Sequence, residues 1–373
     1  MRSDRVLLSP AALVAIGGTF LLLGMVVGAF GPLLEHLTQR FAVSLPLAGA
    51  TISVYFTGSL VGVFAAMRAA ESVTGRALVM TANAIAAAGC AVVAFAPSWP
   101  SFLAGVMVIG LGFGALVLGL NQLVAYSEGP RRAALLNALN SAYSAGAVVG
   151  PVLVAWLAAG NFTQLYLAAA AGALVLAGGA RRIEGRLPVG AGRPGRPELL
   201  VVVFVIGFVL YVALENGTGG WMASHLESVG VTSGTAAALT SGFFLALMAG
   251  RLLIALVPPS VSEAQIVLTG SAFATAALAL ASIGAVAPVA YVLAGLAVAP
   301  IFPTGIVWLS RLRPGDSRAT AWLYPAAAIG GITGPGVITL VIAGAGVAWA
   351  PVVLAAVATA MFLAFYRARY QSR

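Results

Sequence analysis

One carboxylate in this chain stands where an ion or a polar solute could use it. Glu215 lies deep in an apolar stretch running from 198 to 225, whereas the other acidic residues fall in or beside short polar segments or near the ends of apolar stretches. An ionised carboxylate at the centre of a bilayer costs about 2.5–3.5 kcal/mol, so such a group faces a water-filled cavity or a partner. There it can take up a proton, hold sodium or orient solute hydroxyls. Tyr211, Glu215, Thr218 and Met222 recur at helical spacing and share one face. Gly217, Gly219 and Gly220 are expected to weaken the helix just beyond, and backbone groups freed at such a break can bind solute where they line a cavity.

Neutral polar groups supply the other candidates. Asn137, Asn140 and Ser144 share a face, and Gly146 and Gly150 occupy another. Asparagine must hydrogen-bond and glycine admits a close helix neighbour, so one face suits a cavity and the other packing. Asn121 could meet solute at the cavity wall. Asn216 adjoins Glu215, and Trp221 suits stacking on a sugar ring or a place in the interfacial aromatic belt. His36 and His225 fall near an outer interface and are expected to be solvated. Cys90 is the sole cysteine, so the residues offer no intramolecular disulfide and no cysteine-rich metal set.

The elements that must position these groups are membrane helices. Apolar runs long enough to cross about 30 Å of hydrocarbon recur twelve times, near 11–37, 47–70, 77–97, 100–127, 133–158, 162–180, 198–225, 231–257, 265–284, 286–310, 317–343 and 346–366. Threaded back and forth, they put every arginine except Arg40 on one side, which the positive-inside bias makes the cytoplasm, with both termini. A plasma (inner) membrane location is expected. The chain is 8% charged and 61% apolar, against about 25% charged in a soluble domain. Its formal charge of +9 is spread over helix-flanking segments without an aromatic-interleaved basic stripe, so it reads as topology and lipid contact rather than nucleic-acid binding. The absence of lysine excludes a Walker-type phosphate loop.

The longest polar stretch, 181–197, is rich in Arg, Pro and Gly and reads as a cytoplasmic linker between six-helix bundles at 1–180 and 198–373. Gly146-x-x-x-Gly150-Pro151 recurs as Gly330-x-x-x-Gly334-Pro335, and Pro130 and Pro314 share that offset of 184. The repeat pairs crossings five and eleven, and maps Asn140 onto Tyr324, the last candidate solute contact. Parallel six-helix repeats are the plan of large facilitator-type transporters.

These motifs together resemble the major facilitator superfamily, an all-α membrane fold of two pseudo-symmetric six-helix bundles. Within it, Leu210 to Trp221 is similar to the seventh-helix signature of the fucose/glucose/galactose permease group. Gly110-x-Gly112-x-Gly114 leading to Asn121, and Leu136-Asn137 through Asn140, Ser144 and Gly146, resemble its fourth and fifth helices. The resemblance implies a secondary active transporter of a sugar or sugar-like solute working by alternating access, without a resident cofactor and with a proton or sodium ion coupled. It departs from the pattern at Val117 and Ala29, where acidic residues of proton-coupled members are missing, so coupling falls to Glu215. The superfamily's loop signature survives as Gly62, Arg68, Glu71, Gly75 and Arg76, with Gly250-Arg251 in the second half. Arg68, Glu71, Arg76 and Arg251 are expected to pair charges in a cytoplasmic gate. The Gly-x-x-x-Gly-Pro pattern also occurs in facilitator antiporters, which leaves a drug or metabolite exporter as the alternative. An enzyme is not expected, because no embedded nucleophile–base pair or metal set is present. The expected partners are a small-molecule solute and membrane lipids, with a monomeric state and no nucleic acid.

Overall fold

A computed structural model describes residues 8–70, 72–127, 132–157, 162–183, 198–258, 260–314 and 316–371, whose regular structure is helical. The first half carries α1 (Pro10–Phe41), α2 (Leu45–Ala69), α3 (Gly75–Ala94), α4 (Trp99–Ala125), α5 (Arg132–Leu157) and α6 (Phe162–Gly179). The second carries α7 (Leu199–Ser228), α8 (Ser233–Leu253), α9 (Glu263–Leu280), α10 (Ala287–Val298), α11 (Ile301–Leu312), α12 (Ser317–Ala321), α13 (Leu323–Ala345) and α14 (Ala350–Gln371). Among the described residues, ten segments are long and apolar enough to span a bilayer, α10 and α11 forming one of them. With α5 and α13 they make the twelve crossings that the apolar periodicity predicts.

Local chemistry sets many ends. The Ser9 hydroxyl accepts from the Ala12 amide and Pro10 opens α1, while Ser262 and Gln265 form a reciprocal cap on α9. Two crossings are discontinuous, which the apolar runs do not reveal. Crossing ten breaks at Ala299–Pro300 between α10 and α11, and crossing eleven is interrupted at Trp322 between α12 and α13. In contrast, α7 runs unbroken through Gly217, Gly219 and Gly220, against the expectation that they interrupt it. Side-chain packing explains the correction for two of them. A Cβ on Gly217 would fall 2.4 Å from Ile338 and one on Gly219 2.9 Å from Phe244, so these glycines make room for neighbours.

The chain divides into two compact units: residues 1–129 with 142–191, and residues 130–141 with 192–373. The first turns of α5 therefore belong to the second unit and the remainder to the first. In the first unit, Gly146 and Gly150 lie against main-chain carbonyls of Leu21 and Met25 on α1. In the second, Gly330 lies against the Val209 carbonyl and Gly334 against Ala213, both on α7. The repeated sequence thus builds the same seam twice, between the fifth and first crossings of each half. Aromatic clusters fill the cores: Phe102 with Trp99, Phe41 and Phe162 in one unit, and Phe365 with Phe204, Phe208 and Trp308 in the other.

Candidate functional site

The second unit holds an ion pair between a buried arginine and a partly buried glutamate. Arg251 is in the last turn of α8 and only 4% exposed, and its Nη2 stands 3.8 Å from Oε1 of Glu215 on α7. The sequence groups Arg251 with the cytoplasmic gate residues, and the structure places it in the last turn of α8 with its side chain buried. Three neutral acceptors surround the same guanidinium. Nε donates to the Ala299 carbonyl at 3.2 Å, Nη1 to the Asn140 carbonyl at 3.2 Å, and Nη2 to the Tyr211 hydroxyl at 3.3 Å.

The Ala299 contact follows from sequence chemistry. In a continuous helix the amide of residue 303 would donate to the carbonyl of residue 299, but Pro303 has no amide hydrogen. Pro300 likewise cannot donate to Leu296. Arg251 takes over the freed Ala299 carbonyl, and Gly250 beside it permits the approach: a Cβ there would fall 2.6 Å from Ala299 and 2.7 Å from the Leu296 carbonyl. The signal, two prolines three residues apart inside an apolar crossing, is visible in the sequence and was read there only as apolar length.

Around this centre the other candidates sort themselves. Asn137 is fully buried and donates through Nδ2 to Ala133 and to the Thr304 hydroxyl at 2.9 Å, while its Oδ1 is buried without a hydrogen-bond partner. Asn140 sends its amide to the Leu136 carbonyl and offers its own carbonyl to Arg251. Tyr324 is buried, its ring edge-on to Phe302, which also meets Tyr211 and Phe208. So Asn137, Asn140, Glu215, Arg251 and Tyr324 all lie in one unit, joined by Tyr211, Thr304 and Phe302. Asn216 and Trp221 on α7 are partly exposed.

Asn121 lies in the other unit, fully buried, with its amide on the Val117 carbonyl at 2.7 Å. Arg68 and Arg76 are exposed at the ends of α2 and α3, and Glu71 lies outside the described residues. A further charged pair joins Arg311 to Glu263 at 2.9 Å, and Arg313 contacts Glu198 at the start of α7. His225, expected to be solvated, is 2% exposed, with Nδ1 3.2 Å from the Tyr291 hydroxyl. The long α7 buries this last-turn residue against α10, which supplies its partner. No group of three or more metal-ligating side chains occurs among the described residues.

A family model of the Major Facilitator Superfamily matches residues 16–286. The chain belongs to this superfamily. It is accordingly a multi-pass membrane transporter and not an enzyme. No curated protein sequence matches it significantly. Among solved structures it is similar to FucP in the outward conformation, at 17% identity and TM-score 0.78 over 95% of this chain and 98% of that one. It is similar to the human organic anion transporter MFSD10, at 17% identity and TM-score 0.77 over 96% and 100%. The proton:xylose symporter XylE gives 14% identity and TM-score 0.77 over 96% and 94%. These likenesses establish the superfamily fold along nearly the whole chain.

Proposed function

We propose that this superfamily member is a secondary active transporter of a small polar, hydroxyl-bearing solute, a sugar or sugar-like molecule, driven by a proton or sodium gradient through Glu215. The observation that carries the reading is the Glu215–Arg251 pair at 3.8 Å inside the second unit. At an effective dielectric near 20, opposite unit charges at that separation attract by about 4 kcal/mol before desolvation is counted. Protonating Glu215 removes this attraction, while the Ala299, Asn140 and Tyr211 oxygens still accept from Arg251. Cation binding at Glu215 is thereby linked to how firmly α7, α8 and the broken tenth crossing hold together, the kind of linkage that lets an ion bias one state over another.

The polar, hydroxyl-bearing class is supported by the buried Asn137 Oδ1, an acceptor open to a hydroxyl donor. The nearby rings of Tyr211, Phe302 and Tyr324 suit the apolar face of a sugar ring. Relatives of the same fold point the same way: FucP is a fucose:proton symporter and XylE a proton:xylose symporter. We place the transporter in the plasma (inner) membrane as a monomer with both termini cytoplasmic.

The test begins with thermal-shift screening of purified protein against sugars, nucleosides, amino acids and cationic drugs, since a ligand that binds only the folded state raises its apparent stability. The stabilising solute is then followed in proteoliposomes. Glu215→Gln should retain counterflow of labelled solute and lose accumulation driven by a pH gradient or by sodium, with choline replacement separating the two ions. Accumulation equal to the parent under every gradient removes Glu215 from coupling. Stabilisation by cationic drugs alone favours the efflux alternative.

A further inference from the structure

We propose that the first unit binds an anionic phospholipid, its phosphate on Arg40 and one acyl chain in an apolar cavity bounded by α1, α5 and α6. The cavity measures about 210 Å³ and is partly open, larger than the roughly 150 Å³ apolar cavity known to take benzene. Met25, Ala29, Gly150, Leu153, Tyr166 and Ala169 are among its walls. Ala168 at its edge and Leu167 beside it are exposed, so the mouth continues into the apolar outward face of α6, where hydrocarbon lies.

Charge and depth identify the occupant. Arg40, in the last turn of α1, is the arginine that stands apart from all others in the topology. Its guanidinium carbon sits 4.8 Å from the centroid of the Phe162 ring and 5.6 Å from that of Phe41. It is exposed and makes no hydrogen bond or ion pair with the described residues. The Phe162 ring lies 5.0 Å from that of Tyr166, which lines the cavity. With Phe162 at the start of α6, the wall residues Leu165 to Ala169 lie about 5–10 Å deeper at 1.5 Å per residue. A guanidinium at the helix end, with an apolar slot that begins one to two turns below Phe162 along α6 and lies about three to five turns before Arg40 along α1, matches the order of phosphate and acyl chain in one leaflet. The residues involved are separate from the Glu215–Arg251 centre, so this proposal stands independently of solute and coupling ion.

The experiment reconstitutes the full chain in nanodiscs with equal phosphatidylglycerol and phosphatidylcholine, releases it in mild detergent, and counts retained lipids by native mass spectrometry. The parent should retain phosphatidylglycerol in several-fold excess. Arg40→Gln should abolish most of that excess, and Arg40→Lys should keep part of it. Ala169→Phe, which fills the slot while leaving the charge, should lose the retained lipid; Ala168→Phe at the mouth serves if that variant is not monodisperse. Equal retention of the two lipids by the parent overturns the proposal. So does an excess that survives Arg40→Gln, or one that survives filling of the slot.

Discussion

Asn137 on α5 donates to the hydroxyl of Thr304 on α11 at 2.9 Å, and both side chains are fully buried. The bond lies one turn beyond Pro300, so it braces α11 close to the break in the tenth crossing. Thr304→Val should destabilise the protein by about 0.5–1.5 kcal/mol, the worth of one neutral hydrogen bond. A double-mutant cycle with Asn137→Ala, read by thermal unfolding, should return a coupling of the same size. Strict additivity would show that the two groups do not interact.

Arg251 and Glu215 should be unequal partners. Removing Glu215's charge leaves Arg251 with the Ala299, Asn140 and Tyr211 oxygens, whereas removing Arg251 strips a partner from all four. Arg251→Ala should cost about 3–5 kcal/mol, as loss of one side of a buried pair does, and Glu215→Gln clearly less. Arg251→Lys should fall nearer to alanine than to the parent, since a point charge cannot reproduce the forked geometry. Comparable melting temperatures for Glu215→Gln and Arg251→Ala would contradict this account.

Pro303→Ala restores an amide that can donate to the Ala299 carbonyl in competition with Arg251. The variant should keep near-parental stability yet transport more slowly, because the Ala299 carbonyl gains a main-chain donor as Arg251 loses an anchor. Initial uptake rates beside melting temperatures test this. Slower transport with a large loss of stability would instead indicate a packing role for the ring.

Glycine positions separate sharply by what a methyl group would meet. Gly146→Ala and Gly330→Ala place a Cβ 2.0 Å and 2.4 Å from a carbonyl oxygen, so each should cost on the order of 1–3 kcal/mol through forced separation of helices. Gly220→Ala meets nothing within 4 Å and should be neutral or gain up to about 1 kcal/mol of helix propensity. Thermal unfolding of the three variants decides it.

The twelve crossings, the repeat and the isolation of Glu215 were legible in the sequence because each is a pattern along the chain: apolar length, a fixed offset, a lone charge. The partner of Glu215 was not. Arg251 lies near the end of an apolar run, where a basic residue ordinarily marks the membrane surface, and only packing of α7, α8 and α10 reveals that it turns inward. The glycines after Glu215 misled for a related reason. A glycine that breaks a helix and one that seats a neighbour's side chain are identical in sequence, and Ile338 and Phe244, which distinguish them here, are remote along the chain. His225 likewise reads as a surface group until Tyr291 is placed beside it.

The twin seams have a corollary for inheritance. Where Gly146 and Gly330 touch their neighbours, the partners contribute the carbonyls of Leu21 and Val209, atoms that every amino acid possesses. Such a joint constrains one residue and leaves the identity of the other nearly unrestricted. Mutation can therefore change Leu21 and Val209 while the spacing of their helices to the fifth and eleventh crossings stays put. A scaffold joined in this way can drift far in sequence without drifting in shape, which accords with a TM-score of 0.78 at 17% identity.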